Sequence, residues 1–570
     1  MGERGATEVV DEPRVSAAGV FTWPVSRAGL LSAALVFAFS LLPSLLPRTA
    51  IMQGVVSGIT VALGYGVGTF LRWLLAYLGV PALRGRAHTV FVGGWSVVLT
   101  VALGWSVWRQ VGWQNEVRAL FGMEAGTPTV WLVIIPVTLL VAAMLLVLAR
   151  TVRTLFRSIS RRLEERLPRR VAMLLGGVSS VVLLSMLWNG FLVDGFFALA
   201  NRTFAPIDTA TDEGVVRTVS AARSGGPGSV VDWDTLGRKG RTFVATGPTV
   251  DELEAYYGRP AQEPIRIYAG LRSAATPAQR AELVLEELKR TGGFDRQVLV
   301  VATTTGTGYL EPNAMDSLEY VHNGDTAIAG VQYSYLPSWI SLLADQDEVR
   351  ETSQAVFATV HAYWSTLPED DRPRLYLYGL SLGSYGVETI LTSINIINEP
   401  IDGALLVGPP FVNELWNDLV AGRDPGSSPA APVYEAGRTV RFVNEGVRDP
   451  VSSDDWARTR VLYVQHASDP VTFFSPDLLL NRPDWLLPDQ RGADVPDRFD
   501  WVPLVTMWQV LLDLPAAGSV PEGFGHLFTP EANAQAWIDV TRPEPWTATD
   551  SDALRRHLRT VDQALPPIGG

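Results

Sequence analysis

Hydrophobic residues follow two different patterns along this chain, and the change between them falls near residue 200. Before it, apolar residues form long runs of roughly 20 residues, the length that a helix needs to cross a bilayer. Five such runs lie at 28–47, 51–72, 88–107, 128–149 and 171–193, and none has a charge in its middle. The pattern therefore predicts a membrane domain of about five transmembrane helices over 28–199.

After residue 263, short apolar runs alternate with amphipathic stretches. The runs predicted as strands are 264–271, 297–304, 326–335, 374–379, 403–410 and 459–470. Strands that alternate with helices indicate a mostly parallel sheet covered by helices on both faces. The predicted domains are a cytoplasmic tail over 1–27, the membrane domain, a linker and leading segment over 200–262, and an α/β domain over 263–570.

Charge is divided unevenly between these regions. The first 200 residues carry 17 basic and 9 acidic side chains, whereas the rest of the chain carries 29 basic and 50 acidic ones. Such an acidic C-terminal region argues against nucleic-acid binding, which needs positive charge facing phosphate. The chain has no cysteine, which excludes disulfides, thiolate nucleophiles and cysteine-bound zinc.

Arginine placement predicts the orientation of the membrane domain. The stretch 150–170 carries eight arginines and is therefore expected on the cytoplasmic side. The same side receives Arg4, Arg14, Arg27, Arg84 and Arg86, whereas Arg48, Arg109 and Arg118 fall outside. The N-terminus is then inside, and the α/β domain lies on the outer side of the cell membrane. Gly64, Gly66 and Gly68 in the second run are expected to allow close helix packing.

The segment LYLYGLSLGSYG at 375–386 contains the pattern Gly-x-Ser-x-Gly around Ser381. An apolar strand enters it and a helix leaves it, which is the context expected of a nucleophile elbow. A plain packing turn is the alternative. Serine is a weak nucleophile at neutral pH, so this interpretation requires a base, a carboxylate that orients the base, and donors for an oxyanion.

The carboxylate and the base follow from position. Asp469, in QHASDPV, stands at the carboxyl end of the last clear strand, the edge of a parallel sheet where sites form. Of six histidines, His526 in PEGFGHLF lies in a glycine-rich loop late in the chain, whereas His466 is interpreted as a packed or supporting residue within the strand. The order Ser381, Asp469, His526 matches the chain order of α/β-hydrolases.

The oxyanion donors are expected to be the amide of Leu382, directly after the serine, and one amide from the loop TTTGTGYLEP at 303–312. Within that loop the amides of Thr305 and Gly306 are the candidates. The loop lacks the Gly-Lys-Ser/Thr ending of a phosphate-binding loop. No dinucleotide fingerprint and no histidine pair at metal-ligand spacing is found, so the sequence predicts neither cofactor nor metal.

Together, TTTGTGYLEP, GDTAIAGVQYSYLPSW, RPRLYLYGLSLGSYG, QHASDPV and GFGH resemble a family of bacterial membrane-anchored α/β-hydrolases. The resemblance extends over nearly the whole chain from about residue 20. It implies a multi-span N-terminal domain, a serine-hydrolase fold, and Ser381, Asp469 and His526 at the expected motif positions. It implies no particular substrate. One departure is the interval between Asp469 and His526, which holds a proline- and tryptophan-rich insertion and no clear strand.

Three functions stay open from the sequence. The first is an esterase or lipase that acts through an acyl-enzyme on an apolar ester or a lipid-linked substrate, with membrane lipids as its surroundings. The second is an acyltransferase with the same triad, and the third is a non-catalytic scaffold or transport-associated binding protein. Tryptophans in the insertions 411–458 and 472–515 would either cap the site or pack the insertions' own core; they are Trp416, Trp456, Trp485, Trp501 and Trp508. The oligomeric state is not predicted.

Overall fold

A computed structural model describes residues 25–80, 85–186, 194–337, 340–342, 346–393, 399–444 and 456–564. The chain divides into two compact units. The smaller consists of Met1–Leu42, Thr49–Gly112 and Gly126–Asp194, and the larger of Pro43–Arg48, Trp113–Ala125 and Gly195–Gly570. Most of the predicted tail 1–27, Arg84, and residues 187–193 of the fifth predicted span lie outside the described residues.

Five helices account for the apolar runs of the first 200 residues. They are α1 (Arg27–Ser40), α2 (Ala50–Tyr77), α3 (Gly85–Leu120), α4 (Trp131–Glu164) and α5 (Arg169–Met186). Among the described helices, three are long and apolar enough to cross a membrane: Ala50–Tyr77, Gly85–Leu120 and Pro128–Glu164, the last including a short turn before α4. The arginine-rich stretch 150–170 is a continuation of α4 as far as Glu164.

The first predicted span, 28–47, is not one continuous helix. Its helix α1 has 14 residues, which at about 1.5 Å per residue falls short of a hydrocarbon core about 30 Å thick. Pro43 and Pro47 prevent the helix from continuing, because proline lacks the amide hydrogen that an α-helix needs. Between α1 and α2, the stretch Pro43–Arg48 instead belongs to the larger unit.

Glycines in α2 allow close helix packing, as predicted for two of the three positions. A Cβ on Gly64 would lie 3.0 Å from the Ser32 carbonyl oxygen, and one on Gly68 would lie 2.4 Å from that of Ala28. Both neighbours belong to α1, so these glycines let the two backbones approach. Gly66 has open space around its Cα and therefore makes no such contact.

The larger unit is built on a parallel sheet. Within the described residues it has seven strands: β1 (Ile265–Ala269), β2 (Val298–Thr303), β3 (Thr326–Val331), β4 (Arg374–Leu380), β5 (Gly403–Val407), β6 (Val440–Asn444) and β7 (Arg460–Gln465). All pairings are parallel, in the order β1-β3-β2-β4-β5-β7-β6. Nearly every strand residue is buried, which explains why these strands are continuous apolar runs. The predicted α/β class is confirmed.

The remaining helices are α6 (Asp194–Thr209), α7 (Gly237–Ala245), α8 (Val250–Tyr257), α9 (Pro277–Thr291), α10 (Pro312–Val321), α11 (Gln346–Trp364), α12 (Leu382–Leu391), α13 (Glu414–Ala421), α14 (Pro470–Phe473), α15 (Thr506–Asp513), α16 (Pro530–Thr541) and α17 (Ala548–Ala564). The strand order reverses at β2, since β3 lies on one side of it and β4 on the other. The carboxyl ends of β2 and β4 therefore border a crevice, the place where parallel sheets bind ligands.

The insertions beside the last strand contribute to the core. Strand β6 lies in the first insertion and pairs with β7, an element that the sequence pattern did not reveal. Trp416, Trp456 and Trp485 are buried, and the indole of Trp416 donates to Gln465 at 2.8 Å. These tryptophans pack the interior of the unit. In the fully described stretch 456–564, no strand separates Asp469 from His526.

Candidate active site

Ser381 lies in a sharp turn between β4 and α12. Its backbone angles are φ 54° and ψ −127°, a region that residues with a side chain rarely adopt. Its amide donates to the carbonyl of Val407 at the end of β5, at 2.8 Å. The neighbouring strand thus holds the turn, which keeps Ser381 at the carboxyl edge of the sheet. This strained strand-to-helix geometry is that of a nucleophile elbow.

At the two glycine positions of the motif, neighbouring backbone leaves no space for a side chain. A Cβ on Gly379 would lie 2.3 Å from the carbonyl carbon of Gly383, so the turn cannot close around a larger residue. A Cβ on Gly383 would lie 2.3 Å from the carbonyl oxygen of Thr303, the last residue of β2. The elbow therefore packs directly against the start of the glycine-rich loop that follows β2.

Asp469 and His526 are in direct contact. The Nδ1 atom of His526 lies 2.6 Å from Oδ2 of Asp469, whose side chain is fully buried. Asp469 caps α14 and also accepts hydrogen bonds from the Val471 amide at 2.8 Å and the Thr472 hydroxyl at 3.2 Å. A carboxylate accepts only, so the proton belongs on Nδ1, which leaves Nε2 as the basic nitrogen.

The basic nitrogen of His526 is buried, and within the described residues it has no hydrogen-bond partner. The imidazole lies against Gly408, where a Cβ would come within 2.5 Å of its Cε1 atom. Gly408 directly follows Val407, the residue that accepts the Ser381 amide. Ser381 and His526 therefore flank the same end of β5, although no hydrogen bond joins them. The hydrogen bond between a nucleophile and its base is often longer than usual when no substrate is bound.

The loop after β2 is folded by its own hydrogen bonds. The Thr305 amide donates to the Tyr309 carbonyl at 3.0 Å, and the Gly308 amide donates to the Thr305 carbonyl at 2.9 Å. Tyr268 in β1 fixes the loop further, since its hydroxyl donates to the Gly308 carbonyl at 2.6 Å. The Thr305 amide is thus occupied, and Gly306 becomes the better candidate for the second oxyanion donor.

Leu382 is the first residue of α12. The first amides of an α-helix have no carbonyl partner within the helix and carry partial positive charge. The Leu382 amide, directly after Ser381, is therefore a donor suited to a developing oxyanion, and its oxyanion role stays a prediction.

Comparison with known proteins identifies the family of this chain. A sequence model described as "Alpha/beta-hydrolase family" matches residues 265–554, and one described as "Alpha/beta-hydrolase family N-terminus" matches residues 41–248. The chain belongs to the alpha/beta-hydrolase family. No curated protein and no solved structure matches this chain.

Other histidines of this alpha/beta-hydrolase have structural surroundings. His322 contacts Gln297 and Thr541 through its two ring nitrogens, each at 2.9 Å, and burial lowers its pKa to about 3. His361 contacts the Glu399 carbonyl at 2.9 Å. His466 is fully buried and its Nδ1 contacts the Gly525 carbonyl at 2.9 Å. His466 therefore supports the loop that carries His526, a role compatible with its predicted interpretation.

In the part of the chain that the structure describes, no group of three or more His, Asp or Glu side chains could hold a metal ion. The candidate site consists of Ser381, His526 and Asp469 together with backbone amides.

Proposed function

We propose that this protein is a membrane-anchored serine hydrolase that cleaves an ester through an acyl-enzyme. The observation that carries the proposal is the His526–Asp469 pair at 2.6 Å, whose imidazole lies against Gly408, the residue after the Val407 carbonyl that holds the strained turn of Ser381. A base that is held in position next to a serine is the requirement for activating a hydroxyl nucleophile.

In the proposed reaction, Nε2 of His526 removes the Ser381 hydroxyl proton while Oγ attacks the ester carbonyl carbon. The tetrahedral oxyanion accepts hydrogen bonds from the amides of Leu382 and Gly306. Protonated His526 then gives its proton to the leaving alkoxide, and an acyl-enzyme forms. Water attacks the acyl group with His526 again as base, which releases the acid and restores Ser381. Asp469 fixes the tautomer and stabilises the imidazolium.

A lipid or lipid-linked ester is the proposed substrate class. It is supported by the three helices that are long and apolar enough to cross a membrane within the same chain. A catalytic unit tethered in this way meets bilayer lipids at high local concentration. The same residues would serve an acyltransferase if an alcohol replaced water, and product analysis with an added acceptor alcohol distinguishes the two reactions.

Hydrolysis assays on the purified full chain test this proposal. We expect release of acid from acyl lipids in mixed micelles, and a loss of about 10³- to 10⁴-fold in kcat for Asp469→Asn, because the neutral amide favours the wrong imidazole tautomer. Circular dichroism should show that this variant is folded. Cleavage of short soluble esters but of no acyl lipid would contradict the substrate class, and unchanged kcat in Asp469→Asn would contradict the mechanism.

A further inference from the structure

Two short stretches from the first 200 residues belong to the larger unit, which contains the candidate active site and is called the catalytic unit below. Pro43–Arg48 connects α1 to α2, and Trp113–Ala125 contains the end of α3 and the turn after it. Their apolar side chains enter the same buried core as one face of the sheet; these are Leu45, Leu46, Val117 and Phe121. The sequence alone assigned both stretches to the membrane domain.

Asp513, the last residue of α15, anchors the first stretch. Its side chain is fully buried and accepts hydrogen bonds from the Ser44 hydroxyl and from the Leu46 amide at 3.4 Å. Arg48 forms a buried ion pair with it at 3.5 Å. The Arg48 amide donates to Gln114 at 3.0 Å, which ties the two stretches to each other. A buried charge with several partners fixes one arrangement, because any displacement would leave it unpaired.

Both stretches contact the loop that carries His526. The ring of Phe121 packs on Phe524 with a centroid distance of 4.6 Å. Leu46 lies close to Gly525, the residue after Phe524. A Cβ on Gly525 would be 3.6 Å from the Cδ2 atom of Leu46. The two residues that precede His526 therefore rest on side chains from the N-terminal stretches.

The sheet holds the same loop from another direction. The Gly525 amide donates to the Ser468 hydroxyl at 3.0 Å, and the Gly525 carbonyl contacts His466 at 2.9 Å. The His526 amide donates to the Ala517 carbonyl at 3.0 Å, four residues after Asp513. Residues next to Asp469 thus fix one side of the loop, and Leu46 with Phe121 supports the other.

We propose that Leu46 and Phe121 are positioning residues for His526, so that the catalytic base depends on two stretches continuous with the apolar helices α2 and α3. This inference rests on the proposed function. A His526 loop without Phe121 would keep its bonds to Ser468 and Ala517 but lose the aromatic surface under Phe524. The imidazole would then sample positions from which Nε2 no longer reaches Ser381.

The test compares Phe121→Ala with a matched control in the full chain. Phe294 is similarly buried, and its ring packs on that of Tyr363 with a centroid distance of 4.7 Å. It lies in the turn before β2, at the amino ends of the strands and so away from the candidate site. For a short soluble ester, Phe121→Ala should lower kcat by roughly 10- to 100-fold with little change in KM, because small misplacements of catalytic groups are costly. Phe121→Leu should recover most of that loss, and Phe294→Ala should keep kcat near that of the unaltered chain.

A double-mutant cycle separates positioning from general damage. In a His526→Ala background, Phe121→Ala should cause no further loss of kcat, because the group that it positions is gone. Additive losses, or an equal loss of kcat in Phe294→Ala, would overturn the inference.

Hydrogen exchange gives a readout that does not need activity. Amides of residues 517–528 should exchange faster in Phe121→Ala than in Phe294→Ala, since the loop has lost one of its supports. Unchanged exchange over 517–528 would overturn the inference even for an active enzyme. An unaltered chain that cleaves no ester would instead refute the proposed function and leave exchange to decide the positioning role.

Discussion

Ser381 combines a reactive position with an unfavourable backbone conformation. Its φ of 54° lies in a region where a side chain is strained, at a cost of about 1–3 kcal/mol that the surrounding structure must offset. The packing of Gly379 and Gly383 against neighbouring backbone and the hydrogen bond to Val407 hold the turn closed. The strain is a consequence of directing the serine side chain away from both the strand and the helix.

Replacing Ser381 by glycine tests this strain directly. Glycine adopts positive φ without a steric penalty, whereas alanine keeps the Cβ, so Ser381→Gly should be more stable than Ser381→Ala by about 1 kcal/mol after the entropy cost of glycine. Thermal unfolding of both full-length variants, followed by tryptophan fluorescence, gives the comparison. Both should be inactive. A glycine variant no more stable than the alanine variant would show that the turn is unstrained.

Individual residues differed in how far the sequence could identify them. Ser381, Asp469 and His526 could be proposed because strand ends and loop composition mark positions at the carboxyl edge of the sheet. The engagement of the Thr305 amide by Tyr309 could not be foreseen, because it depends on the local fold of the loop. The contact of Phe121 with Phe524 joins residues hundreds of positions apart, for which a single sequence carries no signal.

At the scale of elements, Glu388 connects three of them behind the nucleophile. Its carboxylate, on α12, accepts from the Tyr463 hydroxyl of β7 at 2.8 Å and from the amides of Leu415 and Trp416 in α13 at 3.1 and 3.2 Å. Burial raises the pKa of Glu388 to about 7, and these hydrogen bonds oppose the rise. Glu388 therefore exchanges its proton near neutral pH while it holds α12 in place.

The raised pKa predicts a pH-dependent stability. Because the folded form binds this proton more tightly than the unfolded form, the contribution of Glu388 to stability is complete below its ordinary pKa of 4.5 and is lost as pH rises through about 7. The loss amounts to about 3 kcal/mol. Glu388→Gln should therefore gain thermal stability relative to the unaltered chain between pH 5 and pH 8, whereas Glu414→Gln, exposed on α13, should not. A constant difference across this range would contradict the assignment.

The hydrophobic pattern predicted secondary-structure elements best where burial alone determines which residues are apolar. The strands β1 to β5 and β7 are short apolar runs between turns, and each was recognised because both faces of a parallel sheet are covered. Strand β6 was missed because it lies inside an insertion whose irregular composition hides it. The span predicted over 28–47 was too long because apolar residues that pack into the catalytic core resemble residues that face lipid.

At the scale of the whole molecule, charge and hydrophobicity separate along the chain. Basic residues gather in and beside the apolar helices, and acidic residues in the catalytic unit. Among the described residues, three helices are long and apolar enough to span a membrane, where five spans were predicted. With the arginine-rich stretch 150–170 inside, the predicted orientation requires that the fifth predicted span also crosses, and residues 187–193 of that span lie outside the described residues.

Engineered cysteines test this orientation, since the chain has none of its own. Val219 in the catalytic unit is 91% exposed, and Ser158 is an exposed residue in the arginine-rich stretch. A membrane-impermeant maleimide applied to intact cells should label Val219→Cys and not Ser158→Cys, because the positive-inside rule keeps the latter in the cytoplasm. Labelling of Ser158→Cys alone would reverse the topology.

The most direct measurement of the central claim is active-site labelling of the folded full chain with a fluorophosphonate, followed by peptide mapping. The account predicts one phosphonyl group, on Ser381, and labelling that is lost in Ser381→Ala, strongly slowed in His526→Ala and unchanged in Ser317→Ala, a buried serine on α10. A folded chain that takes up no phosphonate, or that carries it on another residue, would contradict the assignment of Ser381 as the nucleophile.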